Sequence, residues 1–174
     1  MMLNSPEMRD LVDTARRKRE AEFMPTAEDD SFWNFVIVVR GQPVAKKAPR
    51  FSRRSGIVYS DPTTKKYEAH ARLAAQDAIG DGKPRTEPLY VMVEVELPVP
   101  QSWSQKKQLR ALQGIIAPTK RPDVDNLAKS ALDACNSIVW RDDCQIVGLF
   151  VHKRYSETSR LTIRVRVVES MASQ

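Results

Sequence analysis

Between Lys120 and Gln145 the chain reads KRPDVDNLAKSALDACNSIVWRDDCQ, and a handful of these residues have the types and spacing of a hydrolytic site. Asp123 and Asp125 stand two apart after Pro122, which fixes its own φ, pushes Arg121 towards an extended conformation and sets a helix start at about Asp123. Lys129 follows Asp125 by four positions, so on that helix the two share a face and touch. Asp142 and Asp143 come after the helix should have ended. Three carboxylates gathered at the end of one short helix repel one another, and a hard cation such as Mg²⁺ relieves this while leaving them ionised. A cation held by Asp123, Asp125 and one of the Asp142–Asp143 pair lowers the pKa of a bound water, polarises a phosphate and neutralises charge growing on its oxygens. The plainer interpretation, in which Asp123 caps the helix and Asp125 meets its dipole, explains one or two acids but not Lys129, Asp142 and Asp143 as a set.

These residues resemble the signature of the RusA family of Holliday-junction resolvases, endonucleases common in bacterial prophages. Pro122, Asp123, Asp125, Asn126, Leu127 and Lys129, then Leu132, Asp133 and Ala134, then Trp140, Asp142, Asp143, Gln145, Ile146 and Val147 follow its order and spacing. Upstream, Lys46, Lys47, Pro49, Arg50 and Phe51, with Tyr59 and residues 63–68, are similar to the family's basic N-terminal segment, although Lys47 and Ala48 replace its usual Gly-Arg. Ser137 stands where many members have Gly, which assigns the left-handed conformation after the helix to Asn136. The resemblance covers about residues 35–168. It implies that Asp143 rather than Asp142 joins Asp123 and Asp125 on Mg²⁺, with Mn²⁺ a possible substitute, and that Lys129 stabilises the transition state or positions the nucleophile. It also implies a symmetric homodimer that nicks two opposed strands of a four-way junction, leaves ligatable ends, and serves recombination and repair. Asp133 faces neither group and is assigned as a structural partner for a nearby base.

Composition bounds the rest. With 174 residues, 41% hydrophobic and 29% charged, the chain reads as one soluble domain with an appendage, and no apolar run approaches the length that spans a membrane. A cytoplasmic protein is expected. The net charge of +6 favours a polyanionic partner only if it is clustered, and it is. Arg40, Lys46, Lys47, Arg50, Arg53, Arg54, Lys65 and Lys66 face the single acid Asp61 across 40–66, and Lys106, Lys107, Arg110, Lys120 and Arg121 follow with no acid between them. From these, Lys46, Lys47, Arg50, Phe51, Arg53, Arg54, Lys120 and Arg121 are the predicted DNA contacts, through phosphate pairing and aromatic stacking. Neither cysteine nor either histidine has zinc-ligand spacing.

The elements that must position this chemistry follow from periodicity. Residues 1–30 read as a helical extension and linker without the apolar core of a signal peptide, and 31–170 as the endonuclease domain. A β-branched run predicts a strand over 32–40, a ribbon follows around Gly56, and Pro62 opens a helix to Ile79 packed through Tyr67, Ala71, Ala74, Ala75 and Ala78. Alternation over 89–97 predicts a half-buried strand with Glu94 and Glu96 exposed. Ser102 is expected to cap a short helix to Gln113 with Trp103, Leu109 and Leu112 inward, and the central helix runs over 123–136. Residues 145–155 and 160–168 read as a closing hairpin. The expected class is therefore α/β in the α+β sense, a mixed sheet of about four strands with packed helices. Acidic cluster and basic surface together predict phosphodiester hydrolysis in DNA. The rivals are a branched-DNA endonuclease without junction preference and a non-catalytic DNA-binding protein.

Overall fold

A computed structural model describes residues 30–46, 50–51, 58–59 and 61–168. The predicted N-terminal helix therefore lies outside the described residues. The chain divides into two units between Trp33 and Asn34. The described part of the first is a 3₁₀ turn, Asp30–Phe32, followed by Trp33, whose ring meets that of Phe32 edge-on with centroids 5.3 Å apart. The second unit, from Asn34 onward, holds the rest of the described residues.

Its architecture is α+β. Strand β1 (Phe35–Arg40) is followed by a two-stranded ribbon, β2 (Arg50–Phe51) and β3 (Val58–Tyr59), and by helix α1 (Pro62–Ile79). Strand β4 (Leu89–Pro98), helices α2 (Gln105–Leu112) and α3 (Val124–Cys135), and strands β5 (Ile146–Ser156) and β6 (Arg160–Val167) complete it. The main sheet has the order β1-β6-β4-β5, with β4 parallel to β5 and antiparallel to β6. Strand β1 begins three residues later than predicted because 30–32 are already wound into the turn.

Local chemistry explains most boundaries. Asp61 accepts hydrogen bonds from the Thr63 and Thr64 amides at 2.9 and 3.3 Å, and Pro62 occupies the first turn, so α1 starts where the sequence places it. Thr64, Tyr67, Ala71 and Ala75 form its buried stripe; Ala78 falls outside it and is exposed. Helix α2 starts from Ser104 rather than Ser102, and Leu109 is exposed because Ala111, two residues and about 200° further round, faces the core. On α3, Leu127, Ala131 and Cys135 point into the same core as Ile37, Val93, Leu161 and Ile163. The residue in the left-handed region is Ser137 (φ 63), not Asn136. Asn136 forms a parallel bridge with Trp140, which holds its backbone extended (φ −60, ψ 134) and passes the reversal to Ser137.

Two expectations about the sheet are corrected. Strands β5 and β6 do not form a hairpin: β4 lies between them, and residues 157–159 step over its end. The parallel β4–β5 pair in turn needs a long crossover, which the segment carrying α2 and α3 supplies. Glu94 and Glu96 are not exposed, being 5% and 1% accessible. The register sets Glu94 beside His152 and Thr162, and Glu96 beside Arg154 and Arg160. Arg154 Nε donates to Glu94 Oε1 at 2.6 Å and its Nη2 to Glu96 Oε1 at 2.7 Å, Arg164 Nη1 donates to Glu94 Oε2 at 3.0 Å, and Arg160 Nε donates to Glu96 Oε2. Buried carboxylates persist only with such partners.

His152, with Nε2 3.7 Å from Oε1, followed by Arg154 and Arg164, outweighs burial and lowers the Glu94 pKa to about 2 from the ordinary 4.5. Between these values the unfolded chain holds the extra proton, so the contribution of Glu94 is complete above about pH 4.5 and is lost as pH falls towards 2. It is on the order of 3 kcal/mol. Glu94→Ala, which removes the buried carboxylate that Arg154 and Arg164 both pair with, is expected to cost about 3–5 kcal/mol in urea unfolding at pH 7. Glu94→Gln should show a shallower loss of stability than wild type between pH 4.5 and 2.5. Equal slopes in that window would show that Glu94 carries no such linkage.

Candidate active site at helix α3

Helix α3 begins from Asp123, whose backbone is extended (φ −78, ψ 144) and whose side chain makes no capping bond to the helix. Its carboxylate is therefore not consumed by the helix start. Asp125, in the first turn, is exposed and stands 3.8 Å from Lys129 Nζ, one turn on and equally exposed. An ion pair this open adds little stability, so both groups keep most of their bonding capacity for something outside the chain. Asp123, Asp125 and Lys129 are thus brought to one end of one helix.

Asp143 is not among them. It sits in a 3₁₀ turn (Asp143–Gln145) beyond the other end of α3, where Oδ1 accepts from the indole Nε1 of fully buried Trp140 at 2.7 Å. Its charge, added to burial, helps push the Cys135 thiol at the last turn of α3 up to about 12. The twelve residues of α3 rise about 18 Å. The sheet gives the same answer. Lys153 in β5 donates from Nζ to the carbonyls of Lys120 and Pro122 at 2.7 and 2.9 Å, just ahead of Asp123. The strand from Ile146 to Lys153 climbs about 23 Å away from the Asp143 turn. Asp143 therefore stands on the order of 15–20 Å from Asp123 and Asp125 of the same chain.

Oxygens sharing one Mg²⁺ stand within about 4 Å of each other, given bonds of about 2.1 Å. The three predicted ligands do not meet that condition in one chain, and among the described residues no three of His, Cys, Asp and Glu could hold a metal ion. Within one chain the described residues do not gather the three carboxylates at one helix end: α3 leads away from Asp125, and the Trp140 hydrogen bond keeps Asp143 beyond its far end. Asp123 and Asp125 alone are suitable oxygen donors, since Mg²⁺ is commonly held by one or two carboxylates together with substrate phosphates. Asp142 is committed elsewhere: it accepts from the Cys144 amide at 2.9 Å, which lowers its pKa, while its own amide donates to Gln145 Oε1.

The predicted DNA contacts divide three ways. Lys120 and Arg121 are exposed immediately before Asp123. Lys46 is half-buried and its ammonium pairs with Asp133, which raises its pKa, so Asp133 is the structural partner of a base that the sequence suggests. Lys47, Arg53 and Arg54 lie outside the described residues, and for Arg50 and Phe51 the backbone alone is placed, in β2. Sequence reasoning missed Lys153, which fastens the approach to α3, and named Gln145 in the signature without a role: its Nε2 donates to the Arg85 and Glu87 carbonyls and anchors the Asp143 turn. A signal for Lys153 was present: it shares parity with Val151 and Tyr155 on the helix-facing side of β5.

The profile of endodeoxyribonuclease RusA matches residues 40–166, a span holding every described site residue. The chain belongs to the RusA family. Membership implies endodeoxyribonuclease chemistry and fits the pairing of exposed acids with a lysine beside cationic loops. The chain is also 39% identical over 141 residues to YqaN of Bacillus subtilis (strain 168), an uncharacterised protein, covering 77% of this chain and 96% of that protein. No helix among the described residues is long and apolar enough to cross a membrane.

Proposed function

We propose that this RusA-family chain is a divalent-metal-dependent endodeoxyribonuclease that resolves four-way junctions as a homodimer, by symmetric nicks, in recombination and repair of DNA. The observation that carries the reading is the exposed Asp123, Asp125 and Lys129 set at the start of α3, with Lys120 and Arg121 directly before it. Cations there bind the phosphate backbone with a steep salt dependence, and Lys129 is placed to stabilise charge on the phosphate being cut. Mg²⁺, or Mn²⁺ in its place, would be held by Asp123 and Asp125, and a cation so held supplies Lewis acidity to phosphodiester hydrolysis.

The placement of Asp143 supports a homodimer. A carboxylate that one chain keeps at the far end of α3 joins Asp123 and Asp125 only from a second copy, and a two-fold axis would generate two such composite sites together. A four-way junction has matching symmetry. The test is cleavage of a synthetic mobile junction against linear duplex of the same sequence, with Mg²⁺ or EDTA. Paired, metal-dependent nicks confined to the junction are expected. Equal cutting of duplex would remove the junction preference, and binding without cutting under any divalent cation would remove the nuclease.

A further inference from the structure

Beside Asp123 lies a cleft of about 1070 Å³, framed by residues 42–46, Thr63 at the start of α1, the approach to α3 and Asn126. We propose that it is a nucleobase subsite, in which Gln42 and Asn126 read the edge of a base drawn out of the stack beside the phosphate to be cut. The inference rests on the nuclease reading for the phosphate and on the cleft itself for the base.

Three observations point to a base. The walls include Pro43, Val44, Ala45 and Pro122, apolar surfaces of the kind against which an extruded base packs. Two amides, Gln42 and Asn126, line the same space, and neither side chain has a hydrogen bond or ion pair among the described residues. Each offers a donor and an acceptor together, which is the combination that discriminates between base edges. Finally, the frame is fastened. The Lys46 amide donates to the Asn126 carbonyl at 3.0 Å, the Lys46 ammonium is tied to Asp133, and Lys153 holds the Lys120 and Pro122 carbonyls from the other side. These bonds fix the backbone from which Asn126 projects and the wall opposite it.

The position of the cleft links base to phosphate. Asp123 and Arg121 belong to its lining, so a nucleotide whose phosphate meets those two has its base next to the cavity. In continuous duplex that base is paired and stacked, and extracting it is costly; beside a branch point it is already partly released, and the cost is smallest. Base capture would thus add a sequence preference at the cut and make it easier to satisfy at a junction than in a duplex.

The experiment places 2-aminopurine, in turn, at each nucleotide flanking the branch of a four-way junction and titrates full-length protein in EDTA. A several-fold fluorescence rise at one position is expected on binding by wild type, and less than half of that rise at saturation with Gln42→Ala or Asn126→Ala. With Mg²⁺, junctions differing only in the base at that position should be cut by wild type at rates spanning at least about fivefold. For the variants these rates should converge to within about twofold, a ratio that a general loss of activity does not produce. No rise at any position, or an unchanged span of rates in both variants, would overturn the subsite. A rise without cutting would retain the subsite and remove the nuclease reading; cutting without a rise would do the reverse.

Discussion

Mixing Asp125→Asn protein with Asp143→Asn protein should restore junction nicking that neither possesses alone. Each variant by itself loses on the order of 10²–10³ in rate, since every site in its homodimer lacks one carboxylate. If a site takes Asp123 and Asp125 from one copy and Asp143 from the other, a mixed dimer has one site lacking both acids and one that is entirely wild type. Random re-association makes half of the dimers mixed, so about a quarter of wild-type sites return, and they return as single nicks rather than paired ones. A site built within one chain has no such rescue, because each site of the mixed dimer still lacks an acid. Asparagine keeps an acceptor for the Trp140 indole, so Asp143→Asn removes charge without releasing the turn. Absence of recovery in the mixture, with mixed dimers demonstrated by differential tagging, would refute the composite site.

How far α3 carries the chain was legible in the sequence; where Asp143 ends up was not. An uninterrupted helical pattern between Asp125 and Cys135 implies a rise of about 15 Å, but the eight residues from Cys135 to Asp143 can span about 26 Å and could return to the start of the helix. Motif spacing suggested three acids together, and nothing local opposes it; the Asn136–Trp140 bridge and the Trp140–Asp143 hydrogen bond that hold the turn beyond the far end of α3 are features of the fold. Elements whose limits are set locally were equally readable: α1 from Asp61, Pro62 and its alanine spacing, and α3 from Pro122 and the Leu127, Ala131, Cys135 stripe. Features decided by register were not. Alternation along β4 correctly separates Val93 and Val95 from Glu94 and Glu96, but the second face is closed by Arg154, Arg160 and Arg164, which reach it only because β5 and β6 flank β4. The short 157–159 link invites a hairpin reading for the same reason, since nothing local announces that a third strand lies between. Asn136 and Ser137 differ as αL candidates by a small intrinsic preference, and the bridge to Trp140 reverses it.

Lys129→Ala is expected to bind a four-way junction with nearly wild-type affinity and to cut it on the order of 10²–10³ times more slowly. The argument turns on where the ammonium is and what it lacks. Its contact with Asp125 is 3.8 Å long and open to solvent, so it contributes little to folding, and melting should be unchanged. Binding energy comes from many phosphates, and losing one cation among Lys120, Arg121 and the 40–66 cluster lowers the salt slope of binding by at most about one. Cutting is different, because charge grows on one phosphate, next to the acids, and the lysine one turn from Asp125 is the cation the helix aims there. Lys129→Arg keeps the charge but replaces a compact ammonium with a planar fork, so partial recovery distinguishes electrostatic stabilisation from proton delivery, which the guanidinium cannot perform. A fall in affinity equal to the fall in cutting would reduce Lys129 to one more phosphate contact. Unchanged cutting would move the chemistry away from the start of α3 altogether.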